Sequence, residues 1–370
     1  MEDQTDNRLH PSTTTSLIGH EAAERTFLEA FNQDRLHHAW LISGPKGVGK
    51  ATLAWKFAKF LLTQLTNDGP GLFGEALQSG EPPVSLDVDP ESPDVQRVEA
   101  GGHGGLRLIE RSVNEKTGKL RNDIVIDDIR GVINFFAQTS AEGGWRVAIV
   151  DAADEMNINA ANALLKILEE PPEKSILFLV THAPGKLLPT IKSRCRTLKL
   201  QALSEESVQA VLAGRFPDLG SEELIALSRL SEGAPGRAIE LVSQDGVSLY
   251  RQMGGLIADI PRLNVPAVHQ LAGQLAGVKA DAQYRLFIQI FLGWLERLIR
   301  QSATNIAAAD VMDGESDQMA RISALAGVDH WLDLWEKMGR LVTRADAVNL
   351  DRKQVIVSLF TSLSATARGQ

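Results

Sequence analysis

The stretch Ala39-Trp-Leu-Ile-Ser-Gly-Pro-Lys-Gly-Val-Gly-Lys-Ala-Thr52 decides the fold. Ala39–Ser43 is a short apolar run that stops at Gly44 and reads as a buried strand. From Thr52 to Leu65 the apolar residues Leu53, Phe57, Phe60 and Leu61 recur at helical spacing. Between strand and helix, Gly44 to Lys50 fits G-x-x-x-x-G-K, the phosphate-binding loop, in the context that gives this motif its meaning. Gly44, Gly47 and Gly49 let backbone amides converge on phosphate oxygens. Lys50 adds a positive charge, and the following helix N-terminus favours an anion. The plainer reading, a glycine-rich turn without function, has the flanking strand and helix against it. One position departs from the pattern. The residue after the lysine should carry a hydroxyl for Mg²⁺, and here it is Ala51. Thr52 is the nearest hydroxyl, but one step along a helix turns it by about 100°.

Outward from this unit, Arg146-Val-Ala-Ile-Val-Asp151 is a second apolar strand, ending in an aspartate. It reads either as the strand whose carboxylate holds Mg²⁺ beside the phosphates or as a buried strand with an exposed acidic end. The position after Asp151 that would supply a catalytic glutamate is Ala152, and Asp154 and Glu155 follow two and three residues on. Ala51 and Ala152 together remove a metal ligand and a base, so hydrolysis at this loop is expected to be slow or absent. Ile124–Ile126 and Ile176–Val180 are further strand candidates. Helices are expected over Glu21–Phe31, Asp127–Ala137 and Asn159–Glu169, the last stopped by Pro171 and Pro172. Unbroken apolar strands alternating with helices predict an α/β fold with a parallel sheet covered on both faces.

Residues 1–16 read as a flexible tail. Residues 66–122, rich in Gly, Pro, Asp and Ser, read as a loop-rich insertion with a hairpin around Lys116–Lys119. After about residue 200 the strand pattern ends. Short helical patterns cover 204–262 and longer ones 264–370. The 370 residues suit two or three domains. The net charge of -9 argues against a chain coated in basic charge, though not against a local basic patch. The single cysteine, Cys195, excludes an intramolecular disulfide and a cysteine-cluster zinc site within the chain. It reads as a small packing residue rather than a nucleophile. No apolar run approaches a membrane span, and the polar N-terminus is unlike a signal peptide, so a cytoplasmic protein is expected.

Several motifs carry a more specific resemblance. Asn162-Ala-Leu-Leu-Lys-Ile-Leu-Glu-Glu-Pro-Pro-Glu173, then Thr181, then Leu188-Pro-Thr-Ile-Lys-Ser-Arg-Cys195 are similar to signatures of the bacterial clamp-loader subunits, a family of AAA+ proteins. Gly19-His-Glu21, His37-His-Ala-Trp40 and Gly233-Ala-Pro-Gly-Arg-Ala238 also resemble that family. The resemblance implies an AAA+ P-loop domain over 17–202, a small helical lid over 203–263 and an all-α oligomerisation collar over 264–370. It implies a subunit of the DNA polymerase III clamp loader, which puts the sliding clamp onto primed DNA. Ala51, Ala152 and a glycine, Gly236, where the motor subunit carries a sensor arginine point to a stator. Such a subunit donates Arg194 as an arginine finger to a neighbour and has little or no ATPase of its own. The alternatives are an active gamma/tau-like motor and an unrelated P-loop regulator. The cofactor expectation is ATP or ADP at a degenerate loop formed by Gly44, Gly47, Gly49, Lys50 and Thr52, with Asp151 and Thr181 facing it. Mg²⁺ is left open and no zinc is expected. Thr181 reads equally as a γ-phosphate sensor and as a strand cap, and Arg194 has a structural ion pair as its plainer reading. The implied partners are gamma/tau and delta subunits, with the clamp and primed DNA reached through the complex, and no membrane.

Overall fold

The apolar run at 39–43 becomes the fully buried strand β1 (Ala39–Ser43) of a five-stranded sheet. The computed structural model describes residues 10–14, 17–64, 82–114, 116–137, 144–277, 280–307, 309–348 and 350–369. The other strands are β2 (Leu106–Ile109), β3 (Arg146–Asp151), β4 (Ser175–Thr181) and β5 (Arg196–Lys199). Their order is β2-β3-β4-β1-β5 and every pairing is parallel. Each therefore needs a crossover, and the helices that supply the crossovers cover both faces.

The strand period of two sorts the core. Trp40, Ile42, Val147, Ile149, Phe178 and Val180 share one apolar layer with α1 (Glu21–Asn32) and α2 (Lys50–Thr63). In it Phe27 stacks on Phe57 with centroids 3.9 Å apart. Leu41, Ala148, Val150, Leu177 and Leu179 share the other with α4 (Ile126–Ala137) and α5 (Ile158–Glu169). Asn157 caps α5, its side chain accepting from the Ala160 amide at 2.9 Å.

Three sequence expectations change. Residues 65–81 lie outside the described residues, but the rest of the stretch read as irregular holds α3 (Pro93–Glu99) and the core-completing β2. Leu106-Arg-Leu-Ile109 is a four-residue edge strand, interrupted by the exposed Arg107 and too short to show a period. The expected hairpin is present, with Val113 bridging Leu120. The strand expected at Ile124–Ile126 reduces to one bridge from Ile124 to Met156. The Asp128 carboxylate accepts from the Val125 amide at 2.9 Å and starts α4 at once. Residues 1–9, 15 and 16 of the expected tail lie outside the described residues. Residues 10–14 are packed: Ser12 is buried, and the His10 ring meets Trp55 edge-on at 5.8 Å.

α2 buries two lysine stems on its way through the core. Lys56 pairs with Glu24 at 2.8 Å and Asp87 at 3.1 Å, and the buried Lys59 with Glu99 of α3 at 2.5 Å. These contacts tie residues 82–99 to the helix that follows the phosphate loop.

The chain divides into two compact units, Met1–Leu203 and Ser204–Gln370. Among the described residues of the second, the regular elements are helices: α7 (Glu205–Arg215), α8 (Ser221–Leu230), α9 (Pro235–Ser243), α10 (Gly246–Ala258), α11 (Val265–Leu275), α12 (Asp281–Thr304), α13 (Glu315–Ser323), α14 (Val328–Val348) and α15 (Arg352–Thr366). Phe287, Phe291 and Phe360 form an aromatic cluster between α12 and α15. The fully buried Trp331 donates its indole N–H to the carbonyls of Ser323 and Ala326. Arg297 holds Glu315 at 3.0 Å and donates to the Tyr250 hydroxyl at 2.7 Å, pinning α12 to α10 and α13. Among the described residues no helix is long and apolar enough to cross a membrane.

Candidate functional site: a phosphate loop and an arginine on opposite sheet edges

The loop leaves the C-terminal edge of the sheet directly after Ser43, and α2 begins at Lys50. Gly44 has φ +152°, and a Cβ there would lie 2.5 Å from the Leu200 carbonyl oxygen. That close approach, where the chain leaves β5, requires glycine. Gly47 and Gly49 have φ +79° and +105°, the left-handed region that points successive amides one way. The loop is braced from outside by His20, whose Nε2 donates to the Val48 carbonyl at 2.7 Å.

Lys50 is 3% exposed, and its Nζ donates to the carbonyls of Gly44 at 2.8 Å and Pro45 at 2.6 Å. Burial brings its pKa down to about 8, against the opposing pull of Asp151 and Asp154. Asp151 ends β3 beside it. Burial, reinforced by the charge of Glu110 and opposed by Lys50, pushes Asp151 up to about 6. Asp154 is partly desolvated, which alone would raise its pKa. The His182 amide at 2.9 Å and the Thr181 hydroxyl at 2.8 Å outweigh this and hold it below the usual carboxylate range.

The structure thus brings Gly44, Gly47, Gly49, Lys50, Asp151 and Thr181 to one edge of the sheet. Thr181 is fully buried and spends its hydroxyl on Asp154. Thr52 is half-buried on the first turn of α2. The donor set of three positive-φ glycines and a lysine suits phosphate oxygens. The methyl groups of Ala51 and Ala152 offer a metal or an attacking water nothing.

Arg194 stands elsewhere. It lies between the short helix α6 (Pro189–Lys192) and β5. β5 runs parallel to β1 with Arg196 level with Trp40 and Lys199 level with Ser43. The three strand steps from Arg196 to Lys199 alone span about 10 Å. Arg194 starts before them and the phosphate loop begins after them. The two features therefore occupy opposite edges of the sheet. The Arg194 side chain is 37% exposed, donating from Nη2 to Glu169 Oε1 at 3.1 Å and from Nη1 to the Thr190 carbonyl at 3.1 Å. Burial pushes the neighbouring Cys195 thiol up to about 12, which removes it as a nucleophile. Arg237 belongs to the second unit, on the first turn of α9, 3.6 Å from Glu232.

Sequence reasoning missed the partners rather than the motifs. His20 sits in the quoted Gly19-His-Glu21 and Glu169 in the Leu-Glu-Glu-Pro-Pro run, but their contacts are long-range in sequence.

A family profile described as DNA polymerase III, delta subunit, matches residues 19–204. The DNA polymerase III subunit delta' of Pseudomonas aeruginosa is 31% identical over 328 residues, 87% of this chain and 90% of that protein. The chain belongs to the DNA polymerase III delta-prime family. A second delta-prime relative, from Bacillus subtilis, is 31% identical over 220 residues and is covered over 59% of its length. The gamma/tau subunit of Mycobacterium tuberculosis is also 31% identical, but over 207 residues, 56% of this chain and 32% of that protein. In this delta-prime family member the family profile spans the whole five-stranded parallel sheet. Its two conspicuous sequence motifs, phosphate loop and Ser193-Arg194-Cys195, sit at the sheet's two ends.

Proposed function

We propose that this chain is the stator of a sliding-clamp loader, completing the ATP site of a neighbouring gamma/tau subunit with Arg194 while turning over little or no ATP itself. The observation that carries this reading is the separation of Arg194 from the chain's own phosphate loop by the length of β5, which pairs with β1. A half-exposed guanidinium on that edge can serve a phosphate only on another molecule. Its planar fork suits the oxygens of a transferring phosphoryl group, and such fingers accelerate hydrolysis by roughly 10³–10⁵. The chain's own loop retains groups for the phosphates of ATP or ADP, namely Lys50 and the amides released by Gly44, Gly47 and Gly49. Bound Mg²⁺ would supply charge neutralisation there; Asp151 is the carboxylate that would hold it, and Ala51 offers no hydroxyl to share the task. The proposed partners are gamma/tau and delta subunits in the cytoplasm, with the sliding clamp and primed DNA reached through the assembled complex.

The test is reconstitution with gamma/tau and delta. Arg194→Ala is expected to leave the complex intact by gel filtration and to lower its DNA-stimulated ATPase at least tenfold, a conservative share of a finger's contribution. An unchanged rate in an intact complex would remove the finger role, and failure of the native chain to join the complex would remove the assignment as a whole.

A further inference from the structure

We infer that Glu169 is the positioning residue of the arginine finger, holding the Arg194 guanidinium at the edge of the sheet in the orientation that meets a neighbour's phosphate. This rests on the role proposed for Arg194. The geometry that points to it is a two-point clamp. Glu169 is the last residue of α5, and Pro171 and Pro172 prevent that helix from continuing. Its Oε1 accepts from Arg194 Nη2 at 3.1 Å. From the other side, the Thr190 carbonyl of α6 accepts both from Arg194 Nη1 and from the Ser193 hydroxyl, each at 3.1 Å. The clamp thus closes between the ends of two helices, not along one flexible loop. His38 fastens the same end of α5 to the start of β1, its Nε2 donating to the Leu168 carbonyl at 3.2 Å.

A guanidinium carries five N–H donors. The clamp uses two, one on each terminal nitrogen, and leaves three for a phosphate. Glu169 therefore holds the plane of the fork without occupying it. An unheld arginine on a surface must be ordered each time it is used, and that cost is removed when the side chain is pre-organised. Because the finger meets charge that develops in the transition state, loss of its orientation lowers kcat and leaves the KM for ATP unchanged.

The experiment uses the complex assembled with gamma/tau and delta, comparing Glu169→Ala, Glu169→Gln, Glu170→Ala and Arg194→Ala, and the double variant of Glu169→Ala with Arg194→Ala. Glu169→Ala is expected to lower kcat roughly three- to fivefold, the scale of a partly exposed ion pair, with KM unchanged. Glu169→Gln, which keeps the accepting oxygen, is expected to recover most of that loss. Glu170→Ala, which removes an adjacent exposed carboxylate, is expected to match the native rate. The double variant is expected to be no slower than Arg194→Ala alone. A native or raised rate in Glu169→Ala, a glutamine no better than the alanine, or a Glu169→Ala loss that multiplies fully with that of Arg194→Ala overturns the inference. In the first and last cases, a low rate for Arg194→Ala leaves the finger itself standing. A native rate for Arg194→Ala removes both. Complexes are compared at equal assembly by gel filtration, so a folding defect in any variant is read directly.

Discussion

At the residue scale, Lys50 and Asp151 are opposite charges whose environment disfavours the charged form of each. Lys50 is brought down to about 8 and Asp151 raised to about 6, both chiefly by burial. The consequence for stability follows from linkage. A lysine whose folded pKa lies below its unfolded value binds fewer protons when folded, so folding becomes more favourable as pH rises from about 8 toward the ordinary lysine range. A carboxylate whose folded pKa is raised works the other way. Its neutral form is favoured in the fold, and stability is lost as pH rises from the ordinary aspartate range through about 6. Chemical denaturation midpoints should therefore rise between pH 8 and 10 in the native chain and lose that component in Lys50→Met. The decline between pH 4 and 6 should shrink in Asp151→Asn. Parallel pH profiles for native and variant chains would contradict the assignment.

At the element scale, α2 carries two tasks. Its N-terminus receives the phosphate loop, and the half-buried Lys56 and buried Lys59 hold residues 82–99. Lys59 is almost wholly buried, so its pair with Glu99 behaves as an interior ion pair on the lysine side. Breaking such a pair leaves a charge stranded, whereas replacing both members by apolar groups avoids desolvation altogether. Glu99→Ala is expected to destabilise the chain by about 2 kcal/mol, below the full interior penalty because Glu99 is partly exposed. The double change Lys59→Met with Glu99→Leu is expected to fall within about 1 kcal/mol of the native chain. Urea midpoints measure both. A double variant as unstable as the single one would show that the pair contributes more than charge balance.

At the scale of the whole molecule, the arrangement predicts a division of labour: a chain that carries a phosphate loop and an arginine, but not facing each other. The isolated protein should show no steady-state ATP turnover above that of its Lys50→Ala variant. Turnover that disappears in Lys50→Ala would indicate a motor, with the methyl groups of Ala51 and Ala152 compensated by other residues. Legibility was uneven along the chain. β1, β3 and β4 are buried on both faces and read as unbroken apolar runs, so the sheet's centre was visible in sequence. β2 at the edge was not, because the exposed Arg107 interrupts it and its four residues cannot display a period. The motifs of the site were legible as strings. Their partners were not, since His20 meets Val48, Asp154 meets Thr181 and Glu169 meets Arg194 only after the chain has folded.

The sequence by itself determined a parallel α/β core, because strand–helix alternation with a glycine-lysine loop after the first strand admits few other packings. It also determined that the positions after Lys50 and Asp151 carry neither a hydroxyl nor a carboxylate, since alanine offers neither whatever surrounds it. The tertiary structure alone decided at which end of the sheet's strands each motif lies. The pairing register of β5 with β1 carries that information: it puts Arg194 and the phosphate loop at opposite ends of the same strands, where one chain cannot join them.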